Sequence, residues 1–349
     1  MTFLTVIAAI FCFGIIIIIH EAGHFFVAKK CNIKINEFSI GMGPALFTKQ
    51  KGETKYSLRL LPIGGYCAMA GEDESSDDPR AFRNRPVWQR ILVTVAGATM
   101  NLILGFILIL IVTCMDSAIT TTTIADFHKN DAGESISTSE QWLKKNDRIL
   151  QINGLNIYTA TDISYALQND NCETFTIVVE RDGEEVTLEN VEFCDKNTGG
   201  LLDFYVYGAE KSFSRVMKYT GKTFVSTARL IWISFRDLIS GKYGFHDLSG
   251  VVGIIDKTTE VVSRGKSFHD KLWTLLDLMS FITVNVGIFN LIPFPALDGG
   301  RLVFLFIEAL FRKKVPVKVE GMIHFVGLAA LMLLMVVITF QDVFKIFTR

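Results

Sequence analysis

The sequence GIIIIIHEAGHFF, residues 14–26, places two histidines and a glutamate directly after five isoleucines. It belongs to an apolar stretch over residues 3–28, and a helix of roughly 20 apolar residues is enough to cross a bilayer. The stretch has no basic segment before it and is too long for the apolar part of a signal peptide, so we predict a retained membrane helix. Ionisable groups in such a helix are costly and are usually functional.

The histidines and the glutamate form the pattern His-Glu-x-x-His at His20, Glu21 and His24. Residues four apart share one face of a helix, so both imidazoles can reach one metal ion, and Glu21 can act as a general base toward water. In the alternative interpretation the span ends near residue 19, and these are ordinary side chains at headgroup level. The cost of placing them in lipid favours the metal site.

A catalytic zinc ion takes three protein ligands and leaves one position open, so this motif needs a third ligand. The candidate is Asp298, in NLIPFPALDGG over residues 290–300, where two prolines interrupt an apolar stretch and two glycines loosen the chain beyond the aspartate. Irregular backbone at membrane depth is tolerated only where protein or a wet cavity covers it. Alternatively, Asp298 only caps a helix that starts near Arg301. Because the motif needs a third zinc ligand, we favour the interpretation in which Asp298 binds the metal.

The composition favours a membrane protein, because half of the 349 residues are hydrophobic and the mean hydropathy is +0.35. Lysine and arginine flank the spans in a pattern that places the first and third loops in the cytoplasm. With a net charge of -1 and no basic stripe, the chain gives no indication of nucleic-acid binding. The four predicted spans are residues 3–28, 91–115, 278–297 and 322–340.

The loops between the spans carry their own structure. The first loop contains two strands broken by glycines, among them Gly43, and then the acidic run EDESSDD, which we interpret as a solvated loop. The sequence of residues 116 to about 203 predicts two hairpins, which turn at Asn-Gly 153–154 and Asp-Gly 182–183. Between them it predicts a helix over 159–169, capped by Thr161 or Asp162. A helical stretch over 206–239 is expected to pack on the membrane surface or on the bundle.

Other polar residues leave alternatives open. Asn101 lies inside the second span, where its amide either hydrogen-bonds another helix or helps to hold a substrate. Close helix packing explains Gly97 and its neighbour Ala98. Cys172 and Cys194 can pair, but two free thiols are favoured. We interpret the isolated histidines as surface or packing residues: His128, His246, His269 and His324.

Taken together, the chain resembles the site-2 proteases, zinc metalloproteases that cut within the membrane, and in particular the bacterial regulator-of-sigma-E protease branch. The resemblance rests on HEAGHF, FSIGMGPALF, LLPIGGYCAMAGE, NRPVWQRILVTVAG, LSGVVGI and NLIPFPALDGGRL in this order. It implies that His20, His24 and Asp298 bind zinc and that Glu21 is the general base. It also implies that Asn290 contacts substrate, that the glycine-rich loop is a membrane-reentrant β-hairpin which receives an extended substrate strand, and that residues 116 to about 203 form a PDZ domain.

The chain departs from the family pattern at three places. Gly97-Ala98 replaces a usual Gly-Pro, and residues 249–253 read Ser-Gly-Val-Val-Gly where the family has Ser-Gly-Pro-Val-Gly. One PDZ unit is present where some relatives carry two. Neither of the two positions that lack the family's proline is a predicted zinc ligand.

We therefore predict a polytopic α-helical membrane protein with about four spans, a cytoplasmic membrane-reentrant β-hairpin and one extracytoplasmic PDZ-like α/β domain. Its predicted segments are 1–115 with the zinc motif, 116–205, a helical linker 206–272, and 273–349 with the third ligand.

The predicted activity is intramembrane zinc endopeptidase with one zinc ion, in the bacterial cytoplasmic membrane with its site near the cytoplasmic side. Single-span proteins would be its substrates, such as anti-sigma factors or remnant signal peptides that another protease has already cut. The rival prediction is a membrane-anchored PDZ scaffold with a non-catalytic metal site. Metal transport is a weaker third, because the ionisable residues sit together at one end.

Overall fold

The computed structural model describes residues 3–169, 174–194, 200–242 and 267–347. Cys172, His246 and the segment 249–253 lie outside these residues, and so does the predicted Cys172–Cys194 pair. The chain divides into two compact units, residues 1–108 with 231–349, and residues 109–230. Its helices are α1 (Phe3–Lys30), α2 (Val87–Met115), α3 (Ala160–Asn169), α4 (Phe213–Ile239), α5 (Phe268–Phe289), α6 (Asp298–Phe311) and α7 (Val317–Phe347).

Among the described residues, four helices are long and apolar enough to cross a membrane, as expected of a polytopic membrane protein. They are α1, α2, α5 and α7, and so they fall at the four predicted places. The third prediction was wrong in its bounds, because α5 begins ten residues earlier than residue 278 and ends at Phe289 instead of continuing to 297. Two prolines in the following segment deny the helix backbone donors, so the chain turns there.

A β-hairpin follows α1 in the first unit. Strand β1 (Ile35–Lys51) pairs antiparallel with β2 (Thr54–Met69), and Ile40 pairs with both Leu58 and Gly65 because each strand folds back on itself. The pairing order is therefore 45–51, 54–59, 35–40 and 65–69, with 65–69 at one edge. The bends need positive φ, +84° at Gly43 and +85° at Gly64, which glycine adopts without steric cost.

Buried apolar side chains fix the hairpin against the end of α1. Phe25 from α1, Ile35 from β1, Cys67 and Met69 from β2, and Val93 from α2 belong to one buried cluster. Burying such side chains contributes roughly 1.5–3 kcal/mol each. The hairpin is thus held next to the helix that carries the His-Glu-x-x-His motif.

The second unit, residues 109–230, contains an antiparallel sheet in the order β7-β6-β4-β3-β8, with β5 paired to β4. Apolar side chains of the sheet and of α3 fill its core. Both predicted hairpin turns are present between the expected strands. The strands are β3 (Ile119–Phe127), β4 (Arg148–Ile152), β5 (Leu155–Asn156), β6 (Phe175–Arg181), β7 (Glu184–Val191) and β8 (Phe204–Ala209).

The end of this sheet differs from the prediction for residues 206–239. That stretch begins in β8, which pairs with β3 as far as Ala209, and α4 begins only at Phe213. Apolar and polar side chains alternate only briefly in the sequence FYVYGA, which suits an edge strand. This short strand pattern was missed because the helical periodicity of α4 follows it directly. At α3, Asp162 rather than Thr161 holds the start of the helix, because its Oδ2 accepts the backbone N–H groups of Tyr158 and Thr159, both at 2.8 Å. The PDZ identity of this unit stays a prediction.

Candidate zinc and catalytic site

The first unit brings two ends of the chain to one point. On α1 the Nε2 atoms of His20 and His24 lie 3.2 Å apart. Asp298, the first residue of α6, places its Oδ2 at 3.2 Å from Nε2 of His20 and 3.3 Å from Nε2 of His24. These three side chains form a group that can hold one metal ion.

The donor set fits zinc. Zinc bonds of roughly 2.0–2.1 Å in tetrahedral geometry separate neighbouring ligand atoms by about 3.3 Å, which matches the three distances found here. Asp298 Oδ2 is buried and accepts no hydrogen bond, although two imidazole nitrogens lie beside it. A buried carboxylate oxygen without a hydrogen bond is costly, and a cation between the three donors would satisfy it. Three protein ligands leave one coordination position open.

Two further contacts orient the imidazoles. The Nδ1–H of His24 donates to the backbone oxygen of Val93 at 2.8 Å, which leaves its Nε2 without a proton and able to bind a metal ion. The Nδ1 of His20 lies 3.3 Å from the side-chain amide of Asn101, whose Oδ1 is buried without a partner. Turning this amide by 180° lets Nδ1–H donate to Oδ1, since amide oxygen and nitrogen are assigned from their hydrogen bonds. Acceptors of this kind fix the tautomer of metal-binding histidines.

A tight turn between α5 and α6 positions Asp298 beside the two histidines. After α5 ends, the backbone oxygen of Asn290 accepts the N–H of Gly299 at 2.7 Å, and a Cβ on Gly299 would lie 2.6 Å from Leu291 C. A Cβ on Gly300 would likewise lie 2.9 Å from Phe294 C. The prediction that these glycines loosen the chain was wrong: they permit close backbone packing, which holds Asp298 in place. Asp298 begins α6, and Leu297 is the residue before the helix.

His324 contributes to the same turn. Its Nδ1 accepts the N–H of Ala296 at 3.0 Å, and Ala296 has a φ of +78°, which is rare for a residue with a side chain. The prediction treated His324 as a surface or packing residue, and this hydrogen bond adds a role in holding the turn. Its sequence neighbours gave no signal of this role, because the partner lies 28 residues away.

Glu21 faces a cavity of about 380 Å³ that His20, His24 and Asp298 also line. The edge segment 65–69 of the hairpin passes along this cavity, and a Cβ on Gly65 would lie 3.4 Å from Cγ of Glu21. The chain therefore places a carboxylate, a three-donor metal site and a strand edge around one polar space.

Comparison with known proteins identifies the family. The model of Peptidase family M50 matches residues 8–334. The chain belongs to this family. As M50 is the site-2 protease family, the predicted resemblance is confirmed, and with it a zinc-dependent protease. Membership in a peptidase family favours the enzyme over the scaffold.

Three relatives cover nearly the whole of this M50 peptidase. The putative zinc metalloprotease CA_C1796 of Clostridium acetobutylicum is 35% identical over 98% of each chain. The regulator of sigma-W protease RasP of Bacillus subtilis is 30% identical, over 98% of this chain and 99% of its own. The probable protease eep of Enterococcus faecalis is also 30% identical, over 98% and 99%. All three names describe a protease or metalloprotease.

Two residues of the acidic run, Glu72 and Asp73, line the cavity that Glu21 faces. The prediction of a solvated loop is wrong for Glu72, which is largely buried and forms an ion pair with Arg301, while Arg301 also donates to Asp73 at 2.8 Å. Burial raises the pKa of Glu72, although the charge of Arg301 opposes this. The sequence showed only a charged run, since the partner is 229 residues away.

The predicted substrate-binding residues have different surroundings. Asn101 contacts His20, as described. The backbone oxygen of Gly43 accepts from Arg59 Nη1 at 2.7 Å in the hairpin bend. Asn290 directly follows α5 as its C-cap, and its backbone oxygen accepts the N–H of Gly299. Substrate contact by these three residues stays a prediction.

One glycine of the site was missed. Gly97 was predicted as a helix-packing residue, but a Cβ there would lie 2.7 Å from Cε1 and 2.8 Å from Nε2 of His20, and closer still to Nε2 of His24. Its lack of a side chain makes room for the imidazoles. A Gly in an apolar helix indicates close approach, but the sequence alone does not say to what.

Proposed function

We propose that this M50 peptidase hydrolyses peptide bonds within the membrane-spanning segments of single-span membrane proteins. The observation that carries the proposal is the position of the three-donor site: two donors and Glu21 lie on α1, a helix apolar enough to cross the membrane. A hydrolytic site on such a helix is well placed for a bond that is itself buried in lipid.

The residues have distinct roles in the proposed reaction. Zinc held by His20, His24 and Asp298 would polarise the scissile carbonyl and acidify the attacking water. Glu21 accepts the proton of this water and returns it to the amine that leaves when the C–N bond breaks. Val93 and Asn101 hold the imidazoles in the orientation that directs Nε2 to the centre of the site.

The hairpin would present the substrate. Segment 65–69 pairs with 35–40 on one side, and in the described part of the chain no strand pairs with its other side, which borders the cavity. An extended peptide can add to such an edge through main-chain hydrogen bonds. A helical peptide bond is shielded, so pairing here also supplies the unwound form that hydrolysis needs. The exposed side chains of Met42, Leu46 and Phe47 suit a hairpin that dips into lipid.

The charge pattern supports an orientation for the protein. Lysines and arginines flanking the spans favour a site near the cytoplasmic face of a bacterial cytoplasmic membrane, with residues 116–205 on the opposite side. There the outer domain would exclude bulky proteins, so that a first protease must trim the substrate. Anchored anti-sigma factors and remnant signal peptides meet this description, and the name of the Bacillus subtilis relative, a regulator of sigma-W, supports the first class.

The test separates catalysis from metal binding. In Glu21→Gln the zinc ligands are intact, so the purified variant should keep one zinc ion per chain and lose at least about 100-fold in cleavage of a reconstituted single-span substrate, since general bases contribute roughly 10²–10⁴-fold. Glu74→Gln removes an exposed glutamate from the acidic run and should cleave at the wild-type rate. Undiminished cleavage by Glu21→Gln would refute the proposed role.

A further inference from the structure

The second unit contains a cavity that has no part in the proposed hydrolysis. It has a volume of about 620 Å³ and lies between the first half of β3, strands β4 and β5, and the first turns of α4. Hydroxyl groups line one side, and the Oγ1 of Thr120 and the hydroxyl of Tyr219 lie 2.8 Å apart there. Strands β3 and β4 share the single pair Thr123–Arg148, so they separate at this place and leave the space open.

The lining is strongly basic. Arg215, Lys218 and Lys222 follow one another at helical spacing on α4, so they share one face, and Arg148 faces them from β4. Glu185 is the one carboxylate among the lining residues. Arg148 is paired with Glu180 outside the lining at 3.1 Å.

The three cations on α4 are less well paired. Arg215 donates to a backbone oxygen at 3.2 Å. In the described part of the chain, no carboxylate forms an ion pair with Lys218 or Lys222. An anion in the cavity would supply the missing charge.

The cavity lies beside the end of a membrane span. Lys211, just before α4, donates from Nζ to the backbone oxygen of Cys114 in the last turn of α2 at 2.9 Å. Arg215 lies in the first turn of α4, four residues after Lys211. Ile119, which lines the cavity, follows the last residue of α2 by four positions. The polar interface of a bilayer extends roughly 5–8 Å beyond the hydrocarbon on each side, so the cations lie close to headgroup depth.

We propose that this cavity binds the phosphate headgroup of an anionic phospholipid. Arg215, Lys218 and Lys222 would neutralise the phosphate, and the hydroxyls of Thr120 and Tyr219 would donate hydrogen bonds to its oxygens. Depth decides for a lipid over an acidic peptide, because the headgroups of the adjoining leaflet are already at this level. The proposal rests on α2 crossing the bilayer and is independent of peptidase activity.

Native mass spectrometry of the full-length protein, purified with equal amounts of phosphatidylglycerol and phosphatidylcholine, tests this site. Each cation near an anionic surface is worth roughly fivefold in affinity, so R215Q/K218Q/K222Q should bind its retained phosphatidylglycerol about 100-fold more weakly. The matched control K129Q/K144Q/K145Q removes the same charge from exposed positions of the same unit and should bind as the wild type does. K218R/K222R preserves the charge and should also retain the lipid.

Several outcomes would overturn the proposal. The first is that R215Q/K218Q/K222Q retains phosphatidylglycerol as the wild type does. The second is that K129Q/K144Q/K145Q loses as much of this lipid as R215Q/K218Q/K222Q does. The third is that the wild type shows no preference for the anionic lipid. Inorganic phosphate that displaces the lipid at millimolar concentration would assign the site to a soluble anion instead. Binding of an acidic peptide, lost in the triple variant while lipid retention is unchanged, would assign it to a protein partner. Melting temperatures of all variants establish that they are folded.

Discussion

Gly97→Ala is the sharpest test of how the zinc site is built, because it adds one methyl group and removes no ligand. The new Cβ would lie 2.7 Å from Cε1 and 2.8 Å from Nε2 of His20, and closer to His24. Ordinary contact begins at about 3.4 Å, so the His20 ring must retreat by about 0.6–0.7 Å and the His24 ring by more. The fixed contacts to Val93 and Asn101 leave the rings little freedom to move while keeping Nε2 beside Asp298.

This displacement predicts a large functional loss. Misplacing reacting groups by about 1 Å costs roughly 100-fold in rate, and disturbing the surroundings of ligands costs roughly 10–100-fold in metal affinity. We therefore expect Gly97→Ala to lower kcat/KM about 100-fold or more and zinc affinity at least tenfold. Cleavage of a reconstituted substrate gives the first value, and competition with a chromophoric chelator gives the second.

The matched control lies on the same helix. A Cβ on Gly105 would collide with Cγ2 of Val284, an apolar contact between α2 and α5. Gly105→Ala should therefore cost stability, by roughly 1–3 kcal/mol for overpacking, and leave zinc affinity unchanged. If Gly97→Ala kept both its zinc affinity and its kcat/KM within threefold of the wild type, the steric argument would be wrong. A similar loss of zinc affinity in Gly105→Ala would show that general helix packing is responsible.

Two more variants probe the supports of the site. Asn101→Leu removes the acceptor that orients His20, so zinc affinity should fall roughly 10–100-fold in chelator competition, and an unchanged affinity would exclude this role. Arg301→Gln leaves Glu72 buried without its partner and should lower the free energy of unfolding by about 3 kcal/mol in denaturant titration, whereas Arg80→Gln, which breaks an exposed ion pair, should cost below about 1 kcal/mol. Equal losses in these two would contradict the assignment of a buried pair.

Local patterns in the sequence were sufficient to predict many of the helices and turns of the fold. Apolar length located the four helices that can span a membrane, because the hydrocarbon thickness sets one length for all of them. The Asn-Gly and Asp-Gly pairs located the hairpin turns of the second unit, since both residue types tolerate positive φ. The bounds of α5 and the strand β8 were missed where a local signal was weak or was masked by the neighbouring helix.

For the site, the sequence determined the pair His20 and His24, because two residues four apart on any helix share a face, and zinc chemistry then called for a third ligand. Only the tertiary structure decided that Asp298 Oδ2 lies 3.2 Å and 3.3 Å from the two imidazole nitrogens, that Gly97 leaves the rings room, and that Asn101 contacts one of them. These contacts join residues that are far apart in the chain. Hydrophobic periodicity indicates which face of a helix is buried, but it does not identify the residues that pack against that face. The five isoleucines make α1 apolar enough to cross a membrane, and the packing of α2 and α6 around it creates the polar site.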